Sequence, residues 1–348
     1  MRIVSANFGR PFPRTRDYRA YWERHELPPP REQRLSLFDH AVDWGFHIYA
    51  FGILLMDRGI AERAEFWDFA PEPSTVYHSN GTLRVMFENE EDVAAYIERH
   101  GVPNLFINHG RGGLGVLPLL EGKCFRVHLP VLRGGLERTD NHGAECYLVD
   151  AEDQLDDRSM VYVPVVNTRK IFPIECAKQR DFIYLASLYA EKRHDLLLAA
   201  VRGTELTGHL HPVDGSQLDL SGTRVTTSKF NERDVVELLR TSRIAVYPGH
   251  RTSNPAAMWE CVAAGLPIVV NANILGGKHL VVPGVTGELA PPERFADTMR
   301  DVLRNRDRYS PRAHFERHWD TVATLDRYFE FFAAMGWRPP AGARCSGA

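Results

Sequence analysis

The 348-residue sequence has no apolar run long enough to cross a bilayer, so no transmembrane segment is expected. It also lacks an excess of basic charge. Its 42 Lys and Arg stand against 45 Asp and Glu, a formal net charge of −3. That balance argues against a nucleic-acid partner, whose phosphates need a basic footprint. Cysteine is sparse and irregular: Cys124, Cys146, Cys176, Cys261 and Cys345 are an odd set with no C-x-x-C spacing. Neither a disulfide framework nor a zinc site follows, and a reducing cytoplasm fits. Met1-Arg2-Ile3-Val4 leads into a strand pattern rather than a signal peptide, so a cytoplasmic location is expected. No internal repeat occurs, and no low-complexity tract beyond Pro28-Pro29-Pro30. No G-x-G-x-x-G follows a strand with an acidic residue ending the next one, which argues against a dinucleotide dehydrogenase.

What is present is an ordinary globular composition, 44% hydrophobic and 25% charged, over a length that suits about two domains. The chain is organised around Arg243–Asn271. Ile244-Ala245-Val246-Tyr247 reads as a buried strand and breaks at Pro248-Gly249. A polar loop, His250 to Asn254, precedes a helix from about Pro255 that Gly265 and Pro267 end. Ile268-Val269-Val270 is the next strand. Strand, loop, helix and strand form the unit of a parallel α/β sheet. Pro255 suits a first helical position. The N–H groups of Ala256, Ala257 and Met258 would then face the loop and attract phosphate. Glu260 is a lone carboxylate in an otherwise apolar helix.

This stretch resembles the donor-binding motif of retaining GT-B glycosyltransferases, Glu-x7-Glu running into Ala-x-x-x-Gly-x-Pro-Val/Ile-Val. Glu260 matches the second Glu, which in that family holds the ribose hydroxyls. The first Glu, which touches the donor sugar, falls on Thr252. Relatives also carry Gly-Arg-x5-Lys, whose two cations clamp the diphosphate. Lys192 lands on the Lys, and Ser187 replaces the Arg, with Arg193 or an N-terminal Arg as candidate substitutes. Val161 to Pro173 resembles the interdomain connector of the family, and its prolines and lost periodicity support a linker independently. Gly276-Gly277-Lys278-His279 and Val282 to Gly287 resemble its glycine-rich rim segment. The match covers Val161 to Asn305 well and the first half by topology only.

In chain order, strands are expected at Arg2–Ala6, Phe46–Phe51, Thr82–Phe87, Asn104–Asn108, Phe125–Val131, Cys146–Val149 and Met160–Val165. Helices are expected near Glu32–Asp43, Leu54–Glu65 and Glu90–His100. Between Arg10 and Arg34 arginines alternate with acids, so the stretch is either an anion patch or a solvated face, with the acids favouring the latter. Gly112-Gly113-Leu114-Gly115 is a weak phosphate signal, and Asp140-Asn141-His142 are loop residues able to face an acceptor. The second half should hold strands at Phe182–Ala186 and Thr223–Phe230 and helices from Glu191 to Arg202, over Glu232–Arg240 with Asn231 as cap, and over Pro291–Arg304. Trp319–Met335 should form a last helix with an aromatic face.

The resemblance implies an α/β fold of two Rossmann-like domains facing a cleft. Residues 1–165 would bind the acceptor and 166–320 the nucleotide sugar, with 321–348 holding a helix that crosses back to the first domain. It further implies retaining, metal-independent transfer of a sugar from a nucleotide-diphosphate donor to an acceptor hydroxyl, with no cofactor. The sequence has no D-x-D pair for a metal clamp. The implied reacting centre is His109, Lys192 and Thr252. The implied nucleotide-sugar contacts are Gly9, Ser187, Lys192, Lys229, Ser253, Asn254, Ala256, Ala257, Met258 and Glu260. A GT-B protein that binds a nucleotide sugar or glycan without transfer, and a GT-B epimerase, remain alternatives.

Overall fold

A computed structural model of the chain describes residues 1–6, 24–36, 46–110, 113–129, 143–229, 232–250 and 254–338. The first domain begins with β1 (Arg2–Ala6), β2 (Arg24–His25) and helix α1 (Phe46–Asp57). It continues through β3 (Arg63–Phe69), β4 (Ser74–His78), β5 (Leu83–Phe87), α2 (Glu90–His100), β6 (Leu105–His109) and α3 (Val116–Leu119). Strands β7 (Phe125–Leu129), β8 (Cys146–Val149) and β9 (Ser159–Val161) complete it. Among the described residues the sheet order is β2-β4-β5-β3-β1-β6-β7-β8-β9. Only β2 and β4 run antiparallel to their neighbours there.

Both faces of this sheet are covered, so its central strands are mostly apolar on both faces rather than alternating. The pleat divides them. Ile3, Leu105 and Ile107 join the core shared with α1, while Val4, Phe106 and Trp67 join a second core under α2 and α3. Helix α2 starts where Asn89 Oδ1 accepts from the N–H groups of Glu91 and Asp92 at 2.9 and 3.1 Å, with acids in its first turn to suit the helix dipole.

Two local expectations are overturned here. Phe46–Phe51 is not a strand: it opens α1, which runs on to Asp57. The expected helix over Leu54–Glu65 is accordingly the end of α1 followed by β3. A continuous apolar run carries no periodicity, and this one extends through Gly52 to Met56, too long for a typical strand. From Ala50 to Met56 helix α1 is apolar and buried, as a helix packed on several sides is. Gly52 allows the close approach, since a Cβ there would lie 2.8 Å from Ala64 Cβ. Near Glu32 only a 3-10 turn forms, Arg31–Gln33, and the rest of that expected helix falls largely outside the described residues.

Tyr162 to Gln179 contains neither helix nor strand and links the domains. The second domain comprises β10 (Arg180–Leu185), α4 (His194–Val201), β11 (Thr207–His211), β12 (Arg224–Thr227), α5 (Glu232–Thr241) and β13 (Ser242–Tyr247). Then come α6 (Ala256–Ala263), β14 (Ile268–Asn271), β15 (Gly287–Ala290), α7 (Phe295–Arg304), α8 (Pro311–His318) and α9 (Thr321–Ala334). Its sheet is parallel in the order β12-β11-β10-β13-β14-β15. No helix among the described residues is long and apolar enough to cross a membrane.

Helix α9 returns to the first domain. Its N-cap Asp320 accepts from Val322 and Ala323 N–H, and its aromatic face meets α1. Phe51 lies 5.3 Å from Tyr328 and 6.1 Å from Phe332 between ring centroids, and Arg58 pairs with Asp326. The Tyr328 hydroxyl accepts from Val163 N–H and donates to Val163 C=O at 2.9 Å, in the connector. One apolar core therefore runs from the first sheet through α1, the connector and α9 into the second domain. Tyr328→Phe should strand both Val163 groups and lower stability by about 2–3 kcal/mol. Asp326→Asn, at a partly exposed pair, should cost less than about 1 kcal/mol. Urea unfolding followed by tryptophan fluorescence measures both.

Candidate functional site

The second sheet reverses its winding between β10 and β13, and ligands of such sheets lie beyond the strand ends at that point. Two turns flank the crevice. After β10 come Ala186, Ser187, a 3-10 turn over Ala190–Lys192, and Arg193. Arg193 sits in the left-handed region at φ 51°, an uncommon setting for a residue with a side chain. After β13 come Pro248, Gly249 and His250. His250 N–H donates to Glu191 O at 2.9 Å, tying the two turns together across the crevice floor.

Each turn is also held from below. The Tyr184 hydroxyl donates to Lys192 O at 2.7 Å, and Asn271 Nδ2 donates to Pro248 O at 2.7 Å. Tyr184 meets Tyr247 edge-on at 5.5 Å, and Tyr247 Oη lies 3.6 Å from Cys261 Sγ. Burial raises both phenols well above their ordinary value and pushes the Cys261 thiol up too, so this layer is neutral support and supplies no thiolate. His194, buried and 4.9 Å from the Tyr184 ring, is pushed down to about 4, chiefly by desolvation.

Above this layer sits α6. Met258, Trp259, Cys261, Val262 and Ala263 are buried, whereas Ala256, Ala257 and Glu260 are half-exposed. Three- and four-residue spacing puts those three on one face, with Glu260 one turn in from the amino end. No side chain caps that end. Pro255 is the residue before the helix, at ψ 121°, rather than its first helical residue. The Met258 N–H donates to Pro255 O at 2.9 Å, so of the expected phosphate-facing groups Ala256 and Ala257 keep that orientation.

The expected residues therefore divide. Ser187, the half-buried Lys192, Ala256, Ala257 and Glu260 belong to the one crevice between β10 and β13. Asn254 lies beside it, with its carboxamide engaged at both ends: Nδ2 donates to Tyr162 O at 2.7 Å and Oδ1 accepts from Trp259 Nε1 at 2.6 Å. Arg193, considered as a stand-in for a second cation, pairs with Asp195 at 2.9 Å. Lys229 follows the carboxyl end of β12, on the same edge of the parallel sheet as the crevice, exposed and 3.3 Å from Asp214. The Asp214 carboxyl is held below its usual value by Ser216 first and Lys229 after it. His109 is buried at the carboxyl end of β6 in the first domain, where Asn108 Nδ2 reaches Gly110 O and His128 Nδ1 at 2.9 and 3.0 Å. Gly9, Thr252, Ser253, Gly112, Asn231 and Asp140-Asn141-His142 lie outside the described residues.

Sequence reading missed the supports. Asn271 and Tyr184 look like ordinary strand residues and act only through the turn they hold. It also missed the two histidine partners of Ser228, a residue that the family resemblance places with Thr227 and Lys229 beside the nucleobase: its Oγ lies 2.8 Å from both His209 Nε2 and His211 Nδ1. The signal was available there: His209 and His211 alternate in one strand and so share a face.

The family described as "Glycosyl transferases group 1" matches residues 217–317. None of the curated proteins matches this sequence. Among solved structures, HepE of Anabaena in complex with UDP-glucose superposes with a TM-score of 0.65 at 12% identity, covering 96% of this chain and 100% of its own. The lipopolysaccharide outer core galactosyltransferase WaaB, in its apo form, gives 0.62 at 12% identity over 96% of this chain and 99% of its own. Sucrose-phosphate synthase of Thermosynechococcus elongatus gives 0.63 at 14% identity over 80% and 93%. The structural likenesses establish the two-domain GT-B architecture, and the matched segment spans β12 to α8, including the crevice helix α6. Residues 217–317 of the second domain are thus similar to the group 1 glycosyl transferases, and the chain as a whole has the GT-B fold.

Proposed function

We propose that the chain moves a sugar from a nucleotide-diphosphate donor to an acceptor hydroxyl, with retained anomeric configuration and without a metal. The observation that carries this reading is the face shared by Ala256, Ala257 and Glu260 beside Lys192, with the two turns of the crevice hydrogen-bonded to each other. Diphosphate oxygens would lie against the amino end of α6, where N–H groups and the helix dipole favour negative charge. The ribose hydroxyls would bond the Glu260 carboxylate. As the glycosidic bond breaks, charge grows on the leaving nucleotide, and Lys192 with the α6 N–H groups would stabilise it. The sugar would extend toward the first domain, where His109 closes β6. The acceptor hydroxyl would attack from the face the nucleotide leaves, its proton passing to the departing phosphate. HepE in its complex with UDP-glucose and the galactosyltransferase WaaB support a hexose donor on a uridine nucleotide as the first to test.

A second reading has its own observation. Ser187 brings no charge to the crevice, and Arg193 is paired with Asp195, so Lys192 acts without a second cation from that turn. That weakened clamp fits a protein that binds a nucleotide sugar without transferring it. Assays of transfer and hydrolysis across UDP, GDP, dTDP and ADP sugars separate the two.

Isothermal titration should show Glu260→Ala weakening UDP binding about tenfold to a hundredfold, the loss of one or two charge-assisted hydrogen bonds. An unchanged affinity removes the ribose assignment. Lys192→Ala should lower kcat by about a hundredfold with a smaller change in KM, since its charge meets one that grows in the transition state. His194 has a folded value of about 4, below its ordinary 6.5, so the unfolded chain binds the extra proton. Its contribution to stability is complete above pH 6.5 and lost as pH falls toward 4. The drop in Tm over that window should be smaller in His194→Gln, by the equivalent of about 1–3 kcal/mol.

A further inference from the structure

Asn254 is buried where the chain enters α6, with 7% exposure. Its amide end crosses to the connector at Tyr162 O, and its carbonyl end takes the indole N–H of Trp259. Gly277 closes over it. A Cβ at Gly277 would lie 2.8 Å from Asn254 Oδ1, and its φ of 81° is one that side chains rarely adopt. The Gly277 N–H donates to Asp150 O, just beyond β8 of the first domain, at 3.1 Å.

The contacts run on in both directions. Trp259 meets Trp319 edge-on at 5.0 Å, next to α9, and lies 5.3 Å from His279. Tyr162 stacks on Tyr328 at 6.3 Å, and Tyr328 holds Val163. A carboxamide offers a donor at one end and an acceptor at the other, which is what a carbonyl and an indole N–H on opposite sides require. An aspartate would set an acceptor against the Tyr162 carbonyl. An apolar residue would leave both partners buried and unpaired.

We propose that Asn254 is a positioning residue that makes the amino end of α6 and the interdomain connector one mechanical unit, so that nucleotide in the crevice and the setting of the two domains are coupled. The nucleotide half rests on the reading of the crevice given above; the joint itself does not. A ligand that orders α6 would thereby order the connector, because one buried carboxamide bonds the helix at Trp259 and the connector at Tyr162.

Hydrogen–deuterium exchange on the full chain tests this, using wild type, Asn254→Asp and Trp259→Phe, each alone and with saturating UDP, GDP, dTDP or ADP. Without nucleotide, Asn254→Asp should raise exchange several-fold in peptides covering 254–263 and in those covering 160–168 together, with β11 and α2 unchanged. Trp259→Phe, which keeps the ring and removes only the N–H, should give a smaller rise in the same two places. A rise confined to 254–263, or spread evenly over the chain, overturns the joint. With nucleotide, wild type should gain protection in both segments and Asn254→Asp in 254–263 alone. Protection of both segments in Asn254→Asp overturns the coupling. If no nucleotide protects wild type, the crevice reading fails, and the ligand-free comparison still decides the joint.

Discussion

The hydrogen bond from His250 N–H to Glu191 O joins residues far apart in sequence and is central in space. It joins the turn after β10 to the turn after β13, the two strands between which the second sheet changes direction. A parallel sheet leaves a gap at that place because the chain winds outward on both sides of it. A gap lined by two independent turns would have no defined shape. Bonding the turns to each other, with Tyr184 and Asn271 holding them from beneath, gives the crevice a fixed floor on which Lys192 and α6 are set.

Polarity is graded above and below that floor. Underneath, Tyr184, Tyr247, Cys261 and His194 are buried and kept neutral by desolvation. Above it, the Lys192 side chain, the amino end of α6 and Glu260 are half-exposed. Neutral groups below do not compete with a charged ligand above, and the low-dielectric layer strengthens the field of the few charges that face the opening. Each domain contributes the carboxyl end of a parallel sheet, and α9 with the Val163–Tyr328 bonds holds the domains through a shared apolar core rather than through the cleft.

Periodicity identified the elements wherever one face or one end was distinctive. Glu90–His100 shows an Asn cap, acids at its start and spaced apolar residues, and forms helix α2. Apart from His47, Phe46–Met56 is apolar, and nothing local separates a buried strand from a buried helix; packing against Ala64 and α9 settles it as a helix. Glu260 stood out because a carboxylate in an apolar helix needs a reason. Asn271 did not, because it acts on a residue distant in sequence.

By itself the sequence determined the α/β units, the proline-rich connector, a last helix with an aromatic face and the segment around Glu260, while the crossing of that helix back to the first domain came from the family resemblance. These rest on local patterning, on residue types whose backbone preferences are strong, and on runs long enough to average out exceptions. Only the tertiary structure decided that the turn carrying Lys192 is bonded to the turn before α6, that Lys229 pairs with Asp214, and that Asn254 turns its side chain into the domain junction. Those outcomes depend on sheet order and on the direction each side chain takes once neighbours remote in the chain have filled the space around it.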